Sequence, residues 1–509
     1  MTVVDQKRIA KNTAFLYGRM ILVTLISLYT SRVVLRTLGD IDYGIYAAVG
    51  GVVTMIGFLN ATLATACQRF FSFESESETL STLRKTFSLC FIIMLCLAIL
   101  IIVACETVGI WYLNNKMDLA GRTYQAQCVF HLSLFSFLFI LARVPYQGMI
   151  VAKEKMNVFA YVSIVEAFGN LVIAVILANV ESDHLISFAW MMLLLNILIT
   201  ILLQIYCRYC YQECRIVLDI DWLKIRQIFK FTGWEMIGSL ATLCKNQGVH
   251  LILNPFFGPI ANAARGMAIK VYYVFNQIHE NLYMATKPQI IKSYASGEMK
   301  EMRALLYQST RFSYYLLFIV AVPLLMETDF VLELWLDTVP DNTALFTKLL
   351  IVNALVDVFS SPLACTIQAT GNNKWYQICL GTTLLLILPF GYLGFKFFHF
   401  HAESVFYISI ILSFCSQIVR TVFVNRQINM HYGEFFGKCV SKIIIVTVVS
   451  LIIPLLFRHF VDINIWWISI LDIFIAVLWT CAVVWLFGMT PSERRHSMNV
   501  LKNVINRNK

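Results

Sequence analysis

The feature that most constrains this chain is a succession of about fourteen apolar stretches, each roughly 20 residues long, set apart by short polar breaks. At 1.5 Å of rise per residue, such a stretch is what an α-helix needs to cross hydrocarbon about 30 Å thick. Backbone groups in lipid must satisfy one another, so a series of these stretches predicts a bundle of membrane-spanning helices. The first six spans are expected near Asn12–Arg36, Tyr43–Ala66, Phe87–Leu113, Tyr124–Ile150, Val158–Asn179 and His184–Tyr209. The next four follow near Phe229–Leu253, Asn262–Ala285, Tyr307–Leu325 and Leu345–Thr370. Trp375–Phe398, Ser404–Val424, Phe436–Phe457 and Trp466–Phe487 complete the set. Composition agrees: 59% of the 509 residues are hydrophobic and 14% charged, against about 25% charged in soluble domains.

Charge supplies an independent check, because Lys and Arg collect in short cytoplasmic loops. With both termini in the cytoplasm, roughly 28 of the 40 basic residues fall on that side and about four on the other. The segment Glu327–Asp341 holds five acids and no base, which suits an external loop. Topology and anionic lipid account for the net charge of +10 without nucleic acid as a partner. The first apolar run is too long for a cleaved signal. The 14 Cys lie mostly inside apolar runs and read as small hydrophobes. Cys207, Cys210 and Cys214 cluster without a nearby His, a poor zinc set, so no metal or other cofactor is expected. Asp221–Phe231 and Gly297–Leu306 have helical spacing and could lie flat at the membrane surface.

Transporters are often built from repeated helix bundles, and the two halves of this chain share a faint pattern. Phe15-Leu16-Tyr17-Gly18-Arg19-Met20-Ile21 opens the first span and Phe231-Thr232-Gly233-Trp234-Glu235-Met236-Ile237 the seventh. About twenty residues later each reaches a glycine turn, Leu38-Gly39-Asp40-Ile41 and Phe257-Gly258-Pro259-Ile260. Chance is a competing explanation for so slight an identity. As a repeat, it makes residues 1–216 and 217–430 two lobes of six spans, with 431–509 as an appendage of two spans and a tail.

Several runs also resemble a family. They are Leu38-Gly39-Asp40-Ile41-Asp42-Tyr43-Gly44-Ile45-Tyr46 with Gln68-Arg69-Phe70-Phe71-Ser72, and Asn254-Pro255-Phe256-Phe257-Gly258-Pro259 through Asn262-Ala263-Ala264-Arg265-Gly266. Lys287-Pro288-Gln289-Ile290-Ile291-Lys292 and Gln368-Ala369-Thr370-Gly371 continue the match along nearly the whole chain. Together they resemble the polysaccharide-transporter flippases, in the superfamily of multidrug and toxin extruders and the lipid II flippase. The resemblance implies an all-α integral membrane fold with two pseudo-symmetric six-helix lobes and two C-terminal helices. It implies a bacterial inner-membrane protein of polysaccharide synthesis, such as lipopolysaccharide O-antigen. The substrate it implies is an undecaprenyl-pyrophosphate-linked oligosaccharide, carried from the cytoplasmic to the outer leaflet.

A glycan head cannot cross hydrocarbon unaided, so a carrier must hold cations for the pyrophosphate below the headgroups. A Lys or Arg at mid-span costs about 2.5–3.5 kcal/mol, which points to a wet cavity unless the side chain snorkels. Candidate substrate-binding residues are Arg19, Arg32, Lys245, Arg265 and Lys270. Arg19 lies about 10 Å into the first span, and Lys245 about 12 Å from the outer end of the seventh. The alternative for each is pairing with a buried acid, and those acids are Glu166, Glu235, Glu280, Asp357 and Asp472. Glu235 and Asp357 are the candidates for coupling a proton or sodium, Asp357 because it precedes a kink expected at Pro362. No catalytic residue is expected. Asp40 and Asp42 leave open a membrane-embedded glycosyltransferase or polymerase, in a loop far shorter than ordinary active-site loops. A cation-coupled exporter of small molecules is the other alternative.

Overall fold

The computed structural model describes residues 3–56, 71, 80–153, 155–217, 222–336, 338–370, 374–460, 466–491, 493–495 and 498. Nearly all are helical, and no strand occurs among the described residues. The helices of the first half are α1 (Val3–Ile56), α2 (Leu80–Ala104), α3 (Ile110–Lys116), α4 (Thr123–Ala152), α5 (Met156–Leu177) and α6 (His184–Cys210). Then come α7 (Trp222–Ala295), α8 (Met299–Met326), α9 (Thr328–Trp335), α10 (Thr343–Asp357) and α11 (Ser360–Thr370). The chain ends with α12 (Lys374–Leu385), α13 (Ile387–Phe398), α14 (Ser404–Ile428), α15 (Tyr432–Phe435), α16 (Ser441–Phe460) and α17 (Trp466–Val483).

Eleven described stretches are long and apolar enough to cross a membrane. α1, which supplies one of them, is two helices joined at Gly39 (φ 74°, ψ 173°), and α7 is likewise two joined at Gly258 (φ 74°, ψ −175°). Each is thus a pair of limbs where two spans are expected, although α7 is not among the eleven stretches. Both breaks fall on the glycines of the repeat. A positive φ costs an L-residue roughly 1–2 kcal/mol, whereas glycine has no Cβ to clash. Pro259 then opens the second limb of α7, with φ already set for a first helical turn.

The tenth span breaks where expected. Val358 and Phe359 form a turn between α10 and α11, and Val358 is the residue whose carbonyl the Pro362 ring would strike in a continuous helix. The two flat surface helices are corrected. Trp222 begins a helix continuous with the seventh span, and Met299–Leu306 are the first turns of α8. Helical spacing in a polar segment does not distinguish a separate helix from the extension of a span.

By contacts the chain divides into two compact units. One comprises Met1–Met267, Leu336–Asn342 and Leu384–Val405; the other comprises Ala268–Trp335, Thr343–Thr383 and Phe406–Lys509. In the first, α1 packs on α5, α4 on α6, and α2 on α4. The glycine-linked hairpins of α1 and α7 also meet there. A Cβ on Gly44 would stand 1.9 Å from the Pro259 carbonyl oxygen, and one on Gly266 would stand 3.1 Å from the Tyr43 ring. Ala48, Ala261, Ala263 and Ala264 are buried around this crossing. Helices in lipid gain little from hiding apolar surface from one another, so close backbone approach through small residues holds them together. In the second unit α17 packs on α8 and α16. Hydrogen bonds from Tyr315 to the Gly488 carbonyl and from the Trp479 indole to the Val449 carbonyl pin these contacts.

Candidate functional site

In the first unit, the hairpin of α7 encloses a polar interior. Lys245, His250 and Asn254 on one limb and Asn262 and Arg265 on the other are all at most 7% exposed. Arg265 donates to the carbonyl of Asn246, the residue after Lys245. The His250 Nδ1–H donates to Asn262 Oδ1 at 3.2 Å. These rungs join residues on opposite sides of the Gly258 break, which antiparallel limbs bring together. The Asn254 side chain accepts the Asp118 N–H at 2.8 Å, so the loop after α3 covers the turn. Lys245 and Arg265 thus share one hairpin, in a buried ladder rather than at an open surface.

Arg19 is half-buried between α1 and α5, donating to Ser163 Oγ at 3.2 Å with its guanidinium 5.2 Å over the Phe159 ring. Arg32 is half-buried and Arg36 exposed. Glu166 takes the pairing alternative, bonded by Arg143 at 3.0 Å. Arg143, 8% exposed in the fourth span, is a deep cation that the sequence reading did not single out. Asp472 lies beside Arg458 at 3.6 Å. The side chain of Glu235 lies outside the described residues.

The second unit holds the remaining candidates. Lys270 is half-buried, and among the described residues it has neither ion pair nor hydrogen bond. Two positions further on, the Tyr272 hydroxyl donates to Asp357 Oδ2 at 3.0 Å. Asn353, one turn before Asp357, donates to the same oxygen at 3.1 Å and accepts from Ser413 at 2.8 Å. At the adjoining break in the tenth span, Ser361 Oγ lies 2.9 Å from His279 Nε2 and donates to Glu280 Oε1 at 2.9 Å. Gln417 reaches Ser360 at 2.7 Å. The break thus exposes two serines that α7 and α14 bind. Tyr272, Asn353, His279, Ser361 and Ser413 were not foreseen. Their one signal in the sequence is polarity inside an apolar run, which charge alone does not catch.

Around the Gly39 turn, Arg122 bridges Asp42 at 2.6 Å and Asp183 at 2.7 Å. Burial raises Asp42 above the usual carboxylate range, against the pull of Arg122. Burial also pushes Asp183 up, but the Ile186 and Leu185 N–H groups and Arg122 outweigh it and hold that carboxyl below its usual range. Asp40 is raised by burial and by Asp341. Asp42 is therefore committed to a structural bridge, and Asp40 and Asp42 do not stand as a free acidic pair. A polar cavity of about 650 Å³ is lined by Ser293, Ser296, Glu298, Glu301 and Gln308 among others. Its two carboxylates and lack of cations make it unsuited to an anionic head. No cluster of His, Cys, Asp and Glu fit to hold a metal stands among the described residues.

The architecture is that of a multi-pass helical membrane protein, with helices hinged on glycine and polar groups deep between them. No protein-family model and no curated protein matches the sequence, but solved structures do. A lipid II flippase, MurJ, in an inward closed conformation matches with TM-score 0.70 at 14% identity, over 92% of this chain and 98% of that one. A multidrug resistance MATE family transporter of the MOP superfamily, inward-facing, matches with TM-score 0.68 at 12% identity, over 80% of this chain and 94% of that one. An outward-facing MATE structure gives 0.55 at 13% identity, over 82% and 96%. The likeness is one of fold, and it is the fold that the sequence resemblance implies.

Proposed function

We propose that the protein is a flippase that carries an undecaprenyl-pyrophosphate-linked oligosaccharide from the cytoplasmic to the outer leaflet of a bacterial inner membrane. It works by alternating access of lobes 1–216 and 217–430, with 431–509 as appendage and both termini in the cytoplasm. Arg19, Arg32, Lys245, Arg265 and Lys270 serve the pyrophosphate, and Glu235 and Asp357 take the coupling H⁺ or Na⁺. The observation that carries this reading is Lys270. An ammonium at the depth of a span is costly without a counter-ion, and none of the described residues supplies one. A passing pyrophosphate would. The fold shared with a lipid II flippase adds support, and the engagement of Asp42 by Arg122 weighs against a metal-dependent transferase.

The test is to deplete the protein and find the leaflet in which the lipid-linked glycan accumulates. Accumulation in the cytoplasmic leaflet is the expected result. Accumulation in the outer leaflet defeats the proposal, and an undisturbed glycan with retained small cations inside the cell favours an exporter instead.

A further inference from the structure

The C-terminal segment is tied to α8 by charge at two places, in different ways. Midway along the helix Arg311 pairs with Glu493, whose other oxygen accepts the Thr490 N–H at 2.7 Å. One base meets one acid there, and the charges cancel. At its C-terminal end Glu327, the residue closing α8, meets Arg458 of α16, which also stands beside Asp472 of α17. Arg458 Nη2 donates to Glu327 Oε1 at 2.8 Å. Its Nε stands 3.6 Å from Asp472 Oδ2, too far for a hydrogen bond.

Asp472 is 0% exposed, and neither of its oxygens accepts a hydrogen bond from a described donor. Its carboxyl and that of Glu327 converge on the same guanidinium, at 3.6 and 2.8 Å. One guanidinium therefore serves two carboxyls. If both were ionised, a buried charge would be left uncompensated next to a like charge, the least favourable state for an acid. A carboxyl that keeps its proton can instead donate to its ionised neighbour, as acid pairs do elsewhere.

We propose that Glu327 and Asp472 form a binding site for one proton, with Arg458 as its fixed counter-charge. The Asp472 hydroxyl donates to the Glu327 carboxylate, which also accepts from Arg458, and the cluster is neutral. Release of the proton to water leaves one net negative charge among α8, α16 and α17 and loosens their packing. The neighbouring groups do not compete for this role. Asp329 is engaged by Lys348 at 2.9 Å, and His459 is exposed with its ring against Phe460. Arg311 lies sixteen residues away along α8, roughly 24 Å.

The site is independent of the flippase reading, so its test uses no substrate: thermal unfolding of the purified full chain in lipid nanodiscs, from mildly acidic to neutral pH. The folded state holds a proton that the unfolded chain releases, so the wild-type midpoint should fall by several degrees as pH rises. Asp472→Asn, which keeps shape and the donated hydrogen bond, should hold the low-pH midpoint throughout. Glu493→Gln should lower the midpoint equally at every pH. At mildly acidic pH the wild type should also show the infrared carbonyl band of a protonated carboxyl, absent in Asp472→Asn. An equal pH slope in wild type and Asp472→Asn would overturn the proposal, as would absence of that band. So would a wild-type midpoint raised by sodium at high pH, which would make the ligand a metal cation. If Asp472→Asn does not fold, the wild-type band and its loss as pH rises to neutrality decide the matter.

Discussion

The hairpins of α1 and α7 turn on glycines of nearly identical backbone angles but enclose different interiors. Around Gly39 the buried side chains are apolar, Val34, Leu35, Leu38 and Ile45 among them, and Arg32, Arg36, Asp40 and Asp42 stay half-buried or exposed near the mouth. Around Gly258 the limbs bury Lys245, His250, Asn254, Asn262 and Arg265. A repeat conserves what the backbone needs, which here is a glycine turn and small residues at the crossing. Side chains facing inward are free to diverge, and the second hairpin buries charge fully where the first keeps it half-buried or exposed. Lys270, further along the second limb, is bonded by none of the described residues.

The comparison can be broken at the crossing first. Gly44→Leu would drive a side chain into the Pro259 backbone, which cannot move aside as a side chain can. A loss of about 3 kcal/mol or more is expected, read as the collapse of folded yield in detergent. Gly18→Leu, where nothing lies within 4 Å, should leave the yield unchanged. If the two variants behave alike, the hairpins do not depend on that contact.

The next effect separates cations bonded within the hairpin from Lys270, which none of the described residues bonds. Lys270→Gln should lower transport about 100-fold, the scale of losing one donor aimed at a charged centre, with the unfolding midpoint unmoved. Arg265→Gln should lower the midpoint as well, because it removes a bond across the hairpin. A midpoint that falls equally in both variants would make Lys270 structural.

The turns offer a smaller contrast. Gly39→Ala meets nothing within 4 Å and should cost only the strain of a positive φ, roughly 1 kcal/mol. Gly258→Ala adds a contact with Asp118 Oδ2 at 3.2 Å, and about 2 kcal/mol is expected. Equal losses in chemical unfolding would mean that the covering loop gives way. The smallest effect belongs to Arg122→Gln, about 1 kcal/mol for a partly exposed bridge. Asp183 is held below its ordinary range, so its stabilisation is present above that range and is lost as pH falls through the carboxylate region. Arg122→Gln should flatten that acid-side loss, measured as unfolding midpoint against pH.

Much of the fold was legible in the sequence. The spans stood out because hydrocarbon demands about 20 apolar residues at a time. Gly39, Gly258 and Pro362 marked their interruptions because glycine and proline act on the backbone directly. The continuity of Trp222 and Met299 with their spans was not legible, since a helix that leaves the membrane keeps its period. The candidate site was half legible. Deep Lys, Arg, Asp and Glu can be counted in a string of letters, but Tyr272, Asn353 and Ser413 around Asp357 carry no charge to betray them.

By itself, then, the sequence determined how often this chain crosses a membrane and where it turns, because those properties depend on local length, polarity and backbone freedom. Which charges neutralise one another was left to the tertiary structure. Arg143 meets Glu166, and Arg458 stands between Glu327 and Asp472, on helices whose rotation no local pattern specifies. Partnership in a bundle depends on the phase of each helix about its own axis and on which neighbour it is given, and packing alone sets both.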